Sequence, residues 1–230
     1  MDHRIGLEAE QFLKTATGCR EAAEAFFSGL HLRLPIVARE TFDRDLAGVV
    51  TLSRASADLL ALCMAMHLIQ QRPPSLSGDM RCPLYISMKQ VVGLLEAADV
   101  RSLRALQTRI LVATYEMGHG MSASAAISVA ACTKAARSIG MRKLDSAVHS
   151  SEDGFVADEE RRRVWWSIFN LDRYVCSPAL PQGCLGFPSN LGILRDPGIS
   201  ASTRVTASLV PQTPALPISF HTTMRCGSEG

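Results

Sequence analysis

DEERRRVWWSIFNLDRY, residues 158–174, is the segment that decides the fold, and it holds both tryptophans of the chain. Its acidic residues precede its arginines by one helical turn. Asp158 and Arg162, and likewise Glu159 and Arg163, stand four residues apart, so that their opposite charges can pair on one helix face. This pattern predicts that the segment begins as a helix with a charged, solvated first turn.

The apolar residues of the same segment recur at helical spacing and form two neighbouring stripes. The first stripe is Val164, Ile168, Leu171 and Val175, and the second is Trp165, Phe169 and Asp172. An apolar surface of that width indicates a helix packed into a protein core rather than a catalytic element.

The segment resembles a helix of the fungal-specific transcription factor domain, the regulatory region of fungal binuclear zinc-cluster transcription factors. In that helix an arginine pair precedes a tryptophan pair, and an aspartate-arginine pair closes it. The matching residues are Arg162, Arg163, Trp165, Trp166, Asp172 and Arg173. Three upstream stretches, residues 26–42, 113–120 and 131–141, resemble the same domain in the same order. The resemblance implies a structural role for the six signature residues.

Helical punctuation extends to residue 176 and predicts an all-α fold of packed helical hairpins. The expected helices span residues 8–33, 55–71, 84–98, 102–118, 122–139 and 158–176. Pro73 and Pro74 break the second helix, and Gly118-His119-Gly120 separates the fourth from the fifth. Ser122 and Ser124 are candidate N-caps of the fifth helix, and Gly140 falls where a left-handed C-terminal cap is expected.

The chain divides by composition into three segments. Residues 1–19 are a lead-in, residues 20–176 resemble the N-terminal half of the regulatory domain, and residues 177–230 read as an irregular or disordered tail. That tail holds seven of the eleven prolines. The family's second half is missing, which predicts a truncated product or a gene-model error. Truncation would leave Trp165, Trp166 or Phe169 exposed and predicts poor solubility or self-association.

Composition and the lack of membrane and secretion signals favour an intracellular protein with one sizeable hydrophobic core. The chain has 230 residues, of which 47% are hydrophobic, and a net charge of +2. Its longest apolar run, residues 59–69, is well short of the ~20 residues that span a bilayer. The N-terminus lacks the apolar region of a secretory signal. We expect an intracellular protein with a buried helix at residues 59–69.

The cysteine pattern contains no zinc site. Seven cysteines occur, and no two form the C-x2-C pair that presents thiolates to one metal. Cys63 and Cys132 lie in apolar helical segments and are expected to be core residues without disulfides. In the family, a six-cysteine cluster and a coiled coil precede the regulatory domain. Zinc is therefore expected only if such an N-terminal cluster exists outside this sequence, and direct DNA binding is unsupported.

Other side chains allow chemical interpretations that we weigh against structural ones. The triplet at residues 161–163 could contact phosphates, but three acids stand just upstream and favour a paired, solvated turn. Asp172 could be a buried acid at a ligand pocket, although a pairing role is favoured. His31, His67 and His119 could join cysteines on a metal, or pair with Ser124 as a nucleophile, but their spacing specifies neither.

No phosphate-binding loop, nucleophile elbow or metalloprotease motif occurs in the sequence, so we expect that the protein is not an enzyme. The resemblance implies a nuclear regulatory domain that helps to control DNA-templated transcription through transcription proteins or a small effector, without a membrane partner. One alternative is a small helical enzyme or ligand-binding protein with its pocket near Tyr115, Trp165 and Asp172. Another is a non-functional truncated remnant.

Overall fold

The computed structural model describes residues 2–71, 80–141 and 152–176, and every regular element in these ranges is helical. The α-helices are α1 (Asp2–Leu13), α2 (Ala16–Ser28), α3 (Arg39–Ala47), α4 (Ala57–Leu68), α5 (Pro83–Ala97), α6 (Leu103–Gly118), α7 (Ser122–Ser138) and α8 (Glu152–Cys176). A short 3₁₀ turn at Leu30–Leu32 lies between α2 and α3, and another at Leu52–Arg54 lies between α3 and α4. The all-α prediction is confirmed.

Helix α4 is the central element of the core. Ten of its residues are buried, and it packs against α1, α2, α5 and α6. His67 is its main departure from full burial and lies in its last turn. A helix surrounded by other helices is apolar on all sides, which explains the apolar run at residues 59–69, broken only by His67, and confirms that it forms a buried core helix.

Helix α6 extends the core toward the C-terminal part of the described chain. It contacts α4, α5, α7 and α8. Helix α8 places Val164, Ile168 and Leu171 in the core, at 0%, 3% and 6% exposure, and it packs on α6 and α7. The first apolar stripe predicted for α8 is therefore confirmed as a core-facing stripe.

The predicted helix at residues 8–33 is wrong, because two helices and a 3₁₀ turn occupy this region. Lys14 adopts a positive φ of 63°, which ends α1. Thr15 then caps α2 by accepting a hydrogen bond from the Gly18 amide at 3.4 Å. A Cβ atom on Gly18 would lie 2.0 Å from the Leu13 carbonyl oxygen. The chain can therefore turn tightly between the two helices only with glycine at position 18.

One whole helix and the N-terminal ends of two others also differ from the prediction. Helix α3 was not expected at all, and α8 begins at Glu152 rather than at residue 158. Helix α7 has Met121 as its N-cap, so Ser122 is its first residue and neither predicted serine is the cap. The Gly140 prediction is confirmed, since its φ is +80° and its amide donates to the Arg137 carbonyl.

Several predictions lie outside the described residues, among them the break at Pro73 and Pro74 and the tail at residues 177–230. Cys63 and Cys132 are fully buried as predicted, and burial raises the pKa of the Cys132 thiol to about 12. The lead-in at residues 1–19 contributes Ile5, Ala9 and Leu13 to the core. No described helix combines the length and apolar character that crossing a bilayer requires.

Candidate functional site

The charged turn of α8 is fastened to the rest of the fold through Glu160. Its Oε1 atom accepts hydrogen bonds from the Ala38 amide and from Gln107 Nε2, each at 2.8 Å. The same Gln107 nitrogen donates to the Ile36 carbonyl at 2.7 Å. One carboxylate thus joins α8, α6 and the segment that leads into α3, a role that the sequence analysis did not assign.

Each of the three arginines that follow has a hydrogen-bond partner. Arg161 donates to the Ile139 carbonyl at 3.2 Å, at the C-terminal end of α7, where a cation is favourable. Arg162 and Arg163 both bond to Glu159, the latter from Nε at 2.9 Å. The prediction that acids upstream pair with these arginines is confirmed for Glu159, whereas Arg161 acts on a neighbouring helix.

The aromatic residues of α8 are split between the core and the surface. Trp165 is half-buried against the core, whereas Trp166 and Phe169 are 55% and 40% exposed. These two rings meet edge to face with centroids 5.5 Å apart, and the Arg173 guanidinium lies 4.9 Å from the Phe169 ring centroid. The second stripe predicted for the core is therefore wrong beyond Trp165.

Asp172 is exposed to solvent, so the interpretation of this residue as a buried acid is wrong. The reason is geometric. In the described ranges α8 packs mainly on α6 and α7, and successive residues of a helix point about 100° apart. A helix that contacts its neighbours along one side buries the Val164 stripe and leaves the far side, with Asp172, in water.

Cavities that hold small ligands usually measure about 300–1,000 Å³, and α8 borders one of 430 Å³. We call it the α8 groove. It lies between the 3₁₀ turn with its following segment and α8, and is defined by Arg33, Leu34, Arg162, Arg163, Trp166 and Tyr174. Three of the six signature residues, Arg162, Arg163 and Trp166, line this groove.

The α8 groove combines an apolar surface with a surplus of positive charge. Leu30, Pro35 and Leu171 add to its apolar wall. Its charged lining consists of three arginines and Glu159, and that carboxylate is held by Arg162 and Arg163. In the described part of the chain Arg33 has no carboxylate partner and is exposed. The groove therefore carries a surplus of two positive charges, and the Arg33 guanidinium, unpaired among the described residues, lies beside aromatic and aliphatic surface.

The pocket expected near Tyr115, Trp165 and Asp172 is not formed by those residues. Tyr115 is fully buried, and its hydroxyl donates to the Met80 carbonyl at 2.8 Å. The α8 groove is instead lined by Thr114, Trp166 and Leu171, each one residue away in sequence. Because adjacent helical residues point in different directions, the prediction placed the pocket on the correct helices and on the wrong faces.

A buried polar cluster links α5, α6 and α7. Glu116 is fully buried, and its Oε1 accepts from Tyr85 Oη at 2.8 Å and from Lys89 Nζ at 2.9 Å. Lys89 Nζ also donates to Ser128 Oγ at 3.0 Å. Burial, followed by the hydrogen bond to Glu116, raises the pKa of Tyr85 to about 12. This arrangement fixes three helices and was not predicted.

The histidines occupy separate structural positions. His67 Nε2 lies 3.3 Å from Gln71 Nε2 at the end of α4, and His119 Nδ1 lies 2.7 Å from the Tyr115 carbonyl oxygen. The His31 ring packs edge to face on Phe27, with centroids 5.0 Å apart. Across residues 2–71, 80–141 and 152–176, no three histidine, cysteine or acidic side chains are grouped as a metal site.

We expect His31 to make the stability of the fold depend on pH. Burial, and then the charges of Arg163 and Arg39, lower the pKa of His31 below its ordinary value. The unfolded chain therefore binds this proton at a higher pH than the folded chain does, and stability is lost as pH falls through the folded-state pKa. We expect the thermal midpoint to drop between about pH 7.5 and about pH 5.5.

The His31→Gln variant should reduce this drop, because glutamine does not titrate. His67, whose pKa is also lowered by burial, keeps part of the pH dependence in place. The exposed His3→Gln is the matched control and should leave the drop unchanged. Circular dichroism melting at both pH values measures the effect, and an equal drop in His31→Gln and the unchanged chain would contradict it.

Taken together, these features define an all-helical domain with a surface groove and buried structural polar groups in its described part. The chain belongs to the fungal specific transcription factor domain family, which matches residues 23–178. Transcription factor BOA15 of Botryotinia fuckeliana (strain B05.10) is 30% identical over 146 residues, or 62% of this chain and 79% of that protein. No solved structure matches the chain significantly.

Proposed function

We propose that the chain acts in the nucleus as the regulatory domain of a fungal transcription factor and uses the α8 groove to bind an effector or another transcription protein. Family membership supports the part played in transcription. The observation that carries the role of the groove is Trp166, a signature residue that is 55% exposed and lines the cavity. A residue needed only for the core would be buried.

The contacts of the arginines support regulation without direct DNA binding. Arg161 is committed to the end of α7, and Arg162 and Arg163 are committed to Glu159. These contacts make them part of the fold and of the groove wall, not a free phosphate-binding surface. We propose that DNA reading, with its zinc cluster, belongs to a separate module, and that this domain performs no catalysis.

A reporter assay tests the regulatory role. Fusing the chain to an unrelated DNA-binding domain should shift reporter transcription away from the level given by that domain alone. Trp166→Ala should reverse most of the shift, because truncating an aromatic anchor in a binding site costs more than ~1 kcal/mol, or about fivefold in affinity. Reporter transcript is measured at equal fusion-protein abundance.

Ile127→Ala is the matched control, since Ile127 is 71% exposed on α7 and does not line the α8 groove. It should leave the shift intact. If the fusion gives the same transcript level as the DNA-binding domain alone, the non-functional remnant is the correct interpretation. If Trp166→Ala and Ile127→Ala behave alike, the regulatory role does not depend on the groove.

A further inference from the structure

We infer that the α8 groove binds a small amphipathic monocarboxylate, with its apolar body against the aromatic and aliphatic wall and its carboxylate on Arg33. The inference that this ligand is an effector rests on the proposed regulatory function, and it specifies the chemical class of that effector. The binding itself is a property of the isolated chain, so it can be measured without any transcription readout.

The size of the groove limits the ligand. Cavities that hold small molecules usually measure about 300–1,000 Å³, and the α8 groove, at 430 Å³, falls near the lower end. Leu30, Leu34 and Pro35 form one side, and Trp166 and Tyr174 lie on the other. This space suits one compact apolar body between aliphatic and aromatic side chains.

The charges of the groove select the head group. Glu159 accepts from Arg162 Nη1 and from Arg163 Nε, which neutralises the carboxylate and leaves other guanidinium donors of both arginines unused. Arg33 has no carboxylate partner among the described residues and lies on the same cavity. The lining carries three guanidinium groups against one carboxylate, and Arg33 is the guanidinium that does not share Glu159; its planar fork fits the two oxygens of one ligand carboxylate.

The orientation of the ligand follows from this placement. Burial of the apolar body provides most of the binding free energy, since it removes hydrocarbon surface from water. The charge-assisted hydrogen bonds to Arg33 provide selectivity, because a cationic head group would meet like charge from three arginines. The groove should therefore distinguish molecules with the same body and opposite charge.

Tryptophan fluorescence of the purified full chain provides the test. The chain has two tryptophans, so Trp165→Phe leaves Trp166, inside the groove, as the sole reporter. Decanoate is the probe, decylammonium carries the same body with the opposite charge, and acetate carries the charge without the body. We expect decanoate to give a saturable change and to raise the thermal midpoint, as a ligand of the folded state does.

Decylammonium and acetate should each bind at least about tenfold more weakly than decanoate. Arg33→Gln should weaken decanoate binding about tenfold, as expected for the loss of a charge-assisted contact. The unliganded melting temperature should not change, since Arg33 is exposed. Arg44→Gln, an exposed arginine on α3 that does not line the groove, is the matched control and should bind decanoate normally.

Equal binding of decanoate and decylammonium would overturn the inference and would identify a merely apolar surface. Unchanged decanoate affinity in Arg33→Gln, or no response at any decanoate concentration, would also overturn it. None of these results alters the reporter assay, in which Trp166→Ala can still act through a protein partner. Failure of the ligand inference and failure of the proposed regulatory role are therefore distinguishable.

Discussion

Replacing Glu160 by alanine should lower the free energy of unfolding by about 2–4 kcal/mol, because each buried donor left without an acceptor costs roughly 1–3 kcal/mol. The Ala38 amide and Gln107 Nε2 both lose Glu160 Oε1 in this variant. Gln107 keeps its bond to the Ile36 carbonyl, which limits the loss. Urea denaturation followed by far-ultraviolet circular dichroism measures the change.

Two further variants separate the hydrogen bonds from the loss of charge. Glu160→Gln keeps an acceptor at the same place and should cost only about half as much, since a neutral hydrogen bond is weaker than a charge-assisted one. Glu21→Ala removes an exposed carboxylate from α2 and should change stability by less than ~0.5 kcal/mol. A loss in Glu160→Ala no larger than in Glu21→Ala would contradict the assigned role.

The second large effect concerns Lys89. Its replacement by methionine should lower the free energy of unfolding by about 2–4 kcal/mol, because removing one partner of a buried ion pair leaves an uncompensated charge. The stranded group is Glu116, which is fully buried and, among the described residues, keeps only the Tyr85 hydroxyl as a hydrogen-bond donor. The side chain of Lys89 is 39% exposed, so the effect is smaller than for a fully enclosed pair.

Removing the stranded charge should reverse most of this loss. In the double variant Lys89→Met with Glu116→Gln, the neutral amide oxygen can still accept from Tyr85, and no buried carboxylate remains without a cation. Lys134→Met, at an exposed position on α7, is the matched control and should be nearly neutral. A double variant as unstable as the sum of both single variants would show that Lys89 and Glu116 do not interact energetically.

The parts of the fold that the sequence predicted are those encoded by periodicity and by local punctuation. The apolar run of α4 identified a core helix, the spacing of Val164, Ile168 and Leu171 identified the buried side of α8, and Gly140 marked a left-handed helix end. These signals lie within a few neighbouring residues, and they depend on burial or on a single dihedral angle. They can be recognised without knowing which helices meet.

Contacts between residues distant in sequence could not be predicted in this way. The hydrogen bond from the Ala38 amide to Glu160 joins positions 122 residues apart. Neither an alanine nor a glutamate is unusual enough at its position to indicate this contact. Glu116 likewise stands in a helix whose sequence gives no sign that Tyr85 and Lys89 approach it. The sequence shows only that an acidic residue stands within a largely apolar stretch of α6, and it does not indicate which residues contact it.

Only part of the candidate site could be predicted from the sequence. The signature that contains Trp165 and Trp166 was recognised as one packed unit, yet the two side chains separate, one against the core and the other into the groove. Adjacent positions on a helix point about 100° apart, so two neighbouring rings can face different surroundings. The contribution of Arg33 and Leu34 was missed because they come from a 3₁₀ turn and its exit, which carry no helical period.

Gly18 restricts how the sequence of this chain can vary. A methyl group there would overlap the Leu13 carbonyl, whereas one on Gly93 would meet no atom within 4 Å. Position 93 can therefore accept the Cβ atom of alanine without a steric penalty. Position 18 cannot, because the obstacle is backbone and has no side chain that could move aside. An alteration of this codon would thus be selected against through the turn between α1 and α2, at a residue that contributes no side chain to the core.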